Sequence, residues 1–138
     1  MAIKPMRRPP VDFEGTEQVA LMRWLECRFQ AAYAVTWHTP NGGRRDKVTA
    51  AKLKAQGVKA GIPDLQLAMA RGGYFGLFIE FKATPPHDAE VSKSQKDMLA
   101  KLQGQGYLAI VCRGMNEAMA QIGAYLDLPR TQGGLVVA

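Results

Sequence analysis

The chain has 138 residues, of which 47% are hydrophobic and 22% are charged, and its formal net charge is +6. This length and composition predict one globular domain with its own core, and no apolar run is long enough to cross a bilayer. The N-terminal segment lacks the apolar stretch of a secretory signal, and the excess positive charge favours a polyanionic partner.

The first half of the chain predicts an arm, a helix, a strand and a second helix. Residues 1–15 are basic and rich in proline, which is typical of a flexible arm. Thr16 belongs to the residue types that cap helices, and apolar side chains follow it near a 3.6-residue period. Residues 33–38 predict a short strand, and residues 46–56 predict a polar helix after an intervening turn.

The second half predicts a β-hairpin followed by further helices and a strand. Two apolar runs, residues 63–69 and 74–83, flank an Arg-Gly-Gly sequence that suits a hairpin turn. Residues 16–130 are therefore predicted to form one mixed α/β domain with its sheet covered by helices. The remaining elements are predicted as helix, strand, helix and C-terminal tail: residues 92–102, 107–112, 116–126 and 131–138.

Glu80 and Lys82 are charged residues inside the most apolar predicted strand. Because side chains alternate along a strand, the two share one face, and pairing of the hairpin brings Asp64 near Glu80. Two converging carboxylates suit Mg²⁺ or Mn²⁺, and a neighbouring lysine adds positive charge without acting as a ligand. Together they fit metal-assisted attack of water on a phosphodiester. A buried Glu–Lys ion pair, or charges on a solvent-facing edge strand, would also explain the spacing.

The two cysteines, Cys27 and Cys112, lie in apolar surroundings without the spacing of a zinc site. We expect buried free thiols, as in a protein of the reducing cytoplasm.

The order of motifs resembles a known nuclease family. Pro63-Asp64, followed by Glu80-Phe81-Lys82, is similar to the PD-(D/E)XK nuclease signature. GIPDL, YFGLFIEFKA and SKSQKDMLAKLQGQGYLAIVC follow one another as in the VRR-NUC family, in its small stand-alone form found in bacterial viruses. The resemblance extends over about residues 16–126, and it implies a restriction-endonuclease-like fold in which helices flank a mixed β-sheet.

The resemblance also implies roles for residues of the predicted centre. Asp64, Glu80 and the main-chain carbonyl of Phe81 correspond to ligands of Mg²⁺ or Mn²⁺. Lys82 corresponds to the catalytic lysine. Gln95 corresponds to a glutamine that positions the attacking water or the scissile phosphate.

Two further roles come from segments upstream of the centre. Glu17 corresponds to an acidic residue on the first helix that points at the metal, directly or through water, and Glu14 and Glu26 are neighbouring alternatives. A polar, basic loop that contacts DNA corresponds to three residues: Asn41, Arg44 and Arg45.

The function implied by the resemblance is that of a metal-dependent, structure-selective DNA endonuclease. Its substrate would be branched DNA such as a four-way junction, cut by a homodimer in the cytoplasm of a bacterial or phage-infected cell. A non-catalytic DNA-binding accessory protein is one alternative, and a nuclease of flap or duplex DNA without junction preference is another. Apolar residues that could form the dimer interface are Trp24, Phe29, Ile122, Tyr125 and residues 135–138.

Overall fold

The computed structural model describes residues 2–40 and 46–133. Within them the chain forms five helices and four strands, and none of these helices is long and apolar enough to cross a membrane. In chain order the elements are α1 (Phe13–Arg28), α2 (Gln30–Tyr33), β1 (Thr36–His38), α3 (Lys47–Ala55), β2 (Leu65–Leu67), β3 (Leu77–Lys82), α4 (Lys93–Gly104), β4 (Leu108–Arg113) and α5 (Met115–Asp127).

The four strands form one mixed sheet in the order β1-β2-β3-β4. β1, β2 and β3 pair antiparallel, whereas β4 runs parallel to β3 after the crossover through α4. Every residue of β3 is buried, because β3 has a strand on each side and helices over both faces. The predicted mixed α/β fold is confirmed.

The helices divide between the two faces of the sheet. On one face, α1 and α5 pack against Leu77, Ile79 and Phe81 of β3. On the other face, Leu99 of α4 packs against Phe78 of β3. Because side chains alternate along β3, the strand contributes apolar residues to two separate hydrophobic clusters, one on each face of the sheet.

The N-terminal helix begins earlier than its predicted capping residue. The side chain of Asp12, and not that of Thr16, caps α1 by accepting the Gly15 N–H at 2.8 Å. Aspartate is the stronger helix cap of the two residue types. The helix therefore starts inside the segment predicted as an arm. The following strand is also shorter than predicted, since Gln30–Tyr33 forms α2.

The C-terminal region is held more firmly than a free tail. Thr131 donates its hydroxyl to the Tyr74 carbonyl at 2.6 Å and accepts the Gly73 N–H at 3.1 Å, which attaches it to the hairpin turn. Ile122 and Tyr125, predicted as interface material, are 2% and 1% exposed in the core of the single chain. Residues 135–138 lie outside the described residues.

One of the two cysteines differs from the prediction. Cys112 is a buried free thiol, as expected, but Cys27 is exposed on α1.

Candidate active site

The charged residues of β3 lie on the face covered by α4. Glu80 and Lys82 are only 2% and 5% exposed, although both carry groups that ionise. The Lys82 ammonium is 3.5 Å from Glu80 Oε1. Charge at such depth is costly unless it is compensated, so the surroundings of this pair decide what it can do.

Asp64 stands directly across the hairpin from Glu80. Leu65 of β2 pairs with Ile79 of β3, so the preceding residue of β2 faces the following residue of β3. The Asp64 side chain accepts the Phe81 N–H at 2.7 Å, which orients its carboxylate towards the main chain of β3. Its own carbonyl accepts the Thr39 N–H at 2.9 Å and the His38 Nδ1–H at 2.8 Å. Asp64 is thus held from both neighbouring strands.

Gln95 connects the two charged residues of β3 with the first turn of α4. Its Nε2 donates to Glu80 Oε1 at 2.8 Å, and its Oε1 accepts from Lys82 Nζ at 3.3 Å. The same Oε1 accepts the Ser92 N–H at 2.8 Å, while Ser92 Oγ accepts the Gln95 N–H, completing a capping box. The cap of α4 therefore holds the glutamine amide against the site.

A glycine sets how closely α4 approaches. Gly61 has φ of +78°, and a Cβ on it would overlap the Ser94 carbonyl in the first turn of α4. Only glycine suits both the backbone conformation and the contact. The sequence predicted that a helix starts at Ser92, but neither Ser92 nor Gly61 was predicted to shape the centre; the Gly-Ile-Pro sequence at residues 61–63 and the Ser-x-x-Gln spacing were the available signals.

The electrostatics of the site show an excess of negative charge. Burial, followed by the nearby charge of Asp64, raises the pKa of Glu80 to about 8, and the Lys82 ammonium only partly opposes this. Glu80 Oε2 is buried and accepts no hydrogen bond from the described residues, and the neighbouring Asp64 carboxylate can share a hydrogen bond with Glu80 only while one of the two is protonated. Such an orphaned oxygen is costly, and a cation beside it would supply the missing partner.

The charges of the centre also act on a carboxylate of α1, that of Glu14. Burial raises the pKa of Glu14, and the charge of Asp64 adds to this effect while Lys82 opposes it. Glu14 is therefore close enough to experience the charges of the centre. The capping residue Asp12 was the available signal, because it places Glu14 in the first turn of α1.

Glu17 of α1 is bonded to the chain after β3 and to the start of α5. Its carboxylate accepts the Thr84 N–H at 2.7 Å, the Thr84 hydroxyl at 2.5 Å and the Met115 N–H at 3.2 Å. Burial opposes ionisation, but these bonds outweigh it and lower the pKa of Glu17. Both oxygens are occupied in tying α1 to the chain after β3 and to α5. The expected role of Glu17 at a metal, directly or through water, stays a prediction.

The donor set of the centre fits a hard divalent cation. Asp64 and Glu80 offer two convergent carboxylates beside the main chain of Phe81. No group of three or more His, Cys, Asp or Glu side chains within residues 2–40 and 46–133 is arranged around a common metal position. Two carboxylates suffice for Mg²⁺, which keeps several waters and binds protein through one or two carboxylates. Asn41, Arg44 and Arg45 lie outside the described residues.

Comparisons with known proteins show which family the chain is similar to. The VRR-NUC domain family matches the chain over residues 12–116, which include every residue of the centre. A solved structure described as a VRR_NUC domain protein is similar at 30% sequence identity and a TM-score of 0.76. The similarity covers 88% of this chain and 94% of that chain. No curated protein matches the sequence.

Proposed function

Because the chain belongs to the VRR-NUC domain family, whose members carry a nuclease-type domain, we propose that it is a metal-dependent DNA endonuclease. One observation carries this proposal. Asp64 and Glu80 converge beside Lys82 and Gln95, and a buried oxygen of Glu80 accepts no hydrogen bond from the described residues. A purely structural ion pair would leave neither a second carboxylate nor an unpaired oxygen at the same place.

We propose that Asp64, Glu80 and the Phe81 carbonyl hold Mg²⁺ or Mn²⁺ in a centre of the PD-(D/E)XK type, with Glu14 or Glu17 as the acidic residue from α1. A cation there would polarise a water molecule and offset negative charge that develops at the phosphate. The carboxylates would hold the cation, directly or through water, at the end of β3.

Lys82 would act on the substrate rather than on the cation. An ammonium has three N–H donors, and its contacts with Glu80 and Gln95 hold it in place. A remaining donor can bind a phosphate oxygen or the attacking water, where positive charge stabilises the transition state. Gln95 would position Lys82 and the same water or phosphate from the first turn of α4.

The proposed substrate is branched DNA, in particular a four-way junction cut by a homodimer. The net charge of +6 suits a polyanion, and two identical sites related by a two-fold axis match the symmetry of such a junction.

The test compares the parent with Asp64→Ala, Glu80→Ala and Lys82→Ala on labelled four-way junction, flap, single-stranded and duplex DNA. Each variant should lose cleavage by about 10²-fold or more, the range expected when one group that stabilises the transition state is removed. Mg²⁺ should raise the melting temperature of the parent, because it binds only the folded state, but not that of Glu80→Ala. Glu26→Gln, which alters an exposed carboxylate of α1, is the control and should cut like the parent.

Several outcomes would contradict parts of the proposal. Cleavage that persists in excess EDTA would exclude the metal, and an active Lys82→Ala protein would exclude the lysine. A parent protein that binds DNA but never cuts it would favour the non-catalytic accessory protein. Equal cutting of junction, flap and duplex would remove the preference for junctions while keeping the nuclease.

A further inference from the structure

We propose that the lysine segment, defined as residues 47–59 and comprising α3 with the turn that follows it, binds backbone phosphates of the DNA beside the metal centre. This inference rests on the proposed nuclease function. It adds a binding surface that lies outside the catalytic centre, and it assigns that surface to the phosphate backbone.

The lysine segment leads into the centre at its C-terminal end. Before it, the Thr39 N–H donates to the carbonyl of Asp64. After it, Gly61 contacts the first turn of α4 at Ser94, and Asp64 follows three residues later in the sequence. Thr39 and Gly61, which bracket the segment in the sequence, therefore contact Asp64 and the first turn of α4 respectively, and on this ground we place α3 on the side of the molecule where a bound substrate would lie.

Packing does not explain why α3 exists. None of its residues is buried, Val48 is 80% exposed, and the side chain of Asp46 caps the helix by accepting the Thr49 N–H at 2.6 Å. A helix of nine residues is marginal in water without tertiary support. An exposed helix that contributes nothing to the core is suited to contact something outside the chain.

The charge of the segment is strongly one-sided. Residues 47–63 contain four lysines and no aspartate or glutamate. None of the four pairs with an acidic group elsewhere in the described residues, whereas Lys93 pairs with Asp97 and Arg113 pairs with Asp88. The segment is thus a patch of uncompensated positive charge: Lys47, Lys52, Lys54 and Lys59.

The helix dipole accounts for only part of this pattern. Lys52 and Lys54 lie in the last turn of α3, where positive charge is favoured. Lys47 is the first residue of the helix, where positive charge is disfavoured, and Lys59 lies beyond its end. Attraction to an external anion explains all four positions together.

The composition selects phosphates over base edges. Lysine is a flexible point charge that suits phosphates, although it also contacts guanine, and the segment has four lysines but no arginine or asparagine and one glutamine, Gln56, for the bidentate readout of bases. Lys47 and Lys54 are seven residues apart, so they lie on nearly the same side of α3 about 10 Å apart along its axis. That spacing equals roughly three nucleotide steps at about 3.4 Å each along one strand.

The experiment measures DNA affinity against salt concentration in EDTA, where no cleavage intervenes. Lys52→Gln, Lys54→Gln and Lys59→Gln are combined in one variant. Since each lost phosphate contact lowers the slope of log affinity against log salt by about 0.9, the slope should become shallower by about 2 to 3. Arginine at the same three positions keeps the charge and should preserve the parent slope.

The matched control removes the same charge elsewhere. Arg23, Arg28 and Lys101 are exposed, and they lie on the later turns of α1 and α4. Their combined replacement by glutamine should leave the slope within experimental error of the parent. An unchanged slope in the lysine-segment variant, or an equal loss in the control, would overturn the inference.

The same experiments distinguish failure of the nuclease proposal from failure of the present inference. In that case the parent would bind with the salt dependence described above but would not cut in Mg²⁺ or Mn²⁺. Failure of the present inference alone would leave a parent that cuts, together with a lysine-segment variant that binds with the parent slope.

Discussion

Catalytic geometry at the scale of single residues depends on how one amide is held. Gln95 contacts Glu80 and Lys82 only because the first turn of α4 comes close to β3. The capping box with Ser92 sets the side-chain direction, and Gly61 permits the close approach. Ser92 and Gly61, which make no side-chain contact with Glu80 or Lys82, thus position the Gln95 amide.

Gly61→Ala tests this control. The added methyl group would overlap the Ser94 carbonyl, so α4 must shift and Gln95 must withdraw from Glu80. We expect metal-dependent cleavage to fall by about tenfold or more, as small displacements of positioning groups commonly cause. The rate of single-turnover cleavage in Mg²⁺ is the measurement.

Gly73→Ala is the matched control. Gly73 has φ of +86°, but a Cβ there meets no atom within 4 Å. Both substitutions therefore carry a similar backbone strain of about 1–2 kcal/mol, and only Gly61→Ala adds the collision. Equal losses of cleavage in the two variants would show that strain, and not the position of α4, is responsible.

Among the helices and strands, α1 is attached to its neighbours through Glu17. It joins the helix to Thr84, which follows β3, and to Met115 at the start of α5. Glu14 is one turn earlier on α1, so the same contacts hold it near Asp64. The contacts of Glu17 therefore also fix where Glu14 lies on the same helix.

Glu17→Gln should destabilise the fold at neutral pH. An amide replaces one accepting oxygen with an N–H group, which leaves a donor of Thr84 or Met115 without a partner. We expect a loss of about 1 kcal/mol in the free energy of unfolding, discounted for partial exposure. Urea unfolding measures it, and Glu26→Gln on the same helix should show almost no change.

The difference in the free energy of unfolding between the parent and Glu17→Gln should become smaller as the pH falls. The folded protein lowers the pKa of Glu17 below its ordinary value of 4.5, so its contribution is present above pH 4.5. That contribution is lost as the pH falls through the lowered value, because the protonated carboxyl no longer accepts all three bonds. The stabilities of Glu17→Gln and the parent should therefore converge in acid. A constant difference down to pH 3 would contradict the assignment.

For the whole molecule, the proposed homodimer needs a surface that the core does not already use. Ile122 and Tyr125 are excluded, since both are buried within the single chain. Trp24 and Phe29 are only partly buried and contact each other edge to face with ring centroids 5.7 Å apart. Of the predicted interface residues that the structure describes, these two retain exposed apolar surface.

Light scattering in solution tests the quaternary prediction. The chain has a mass of 15.1 kDa, and we expect twice that value at micromolar concentration. A dimer should also introduce paired, symmetric cuts in a four-way junction, because its two sites follow one two-fold axis. A monomeric mass combined with a single nick would exclude the dimeric resolvase and leave a monomeric structure-selective nuclease.

The central hairpin and the residues that meet across it were predictable from local sequence patterns. Alternation along β3 assigned Glu80 and Lys82 to one face, and the Arg-Gly-Gly turn set Asp64 opposite Glu80. These features are local, since a strand has a period of two and a short turn defines the pairing register. The same reasoning predicted the order of the long helices and the strands.

The contacts made by the carboxylates of α1 could not be read from the sequence, because they depend on how the helix docks. Glu14 and Glu17 are three residues apart on α1, so the periodicity of the helix could not choose between them. The contacts of Glu17 followed from the docking of α1 against Thr84 and Met115. Likewise, the apolar face of α5 would look the same in sequence whether it covered a core or a partner chain. Packing over long sequence separations settles such questions, because it depends on the rotation and height of each helix above the sheet.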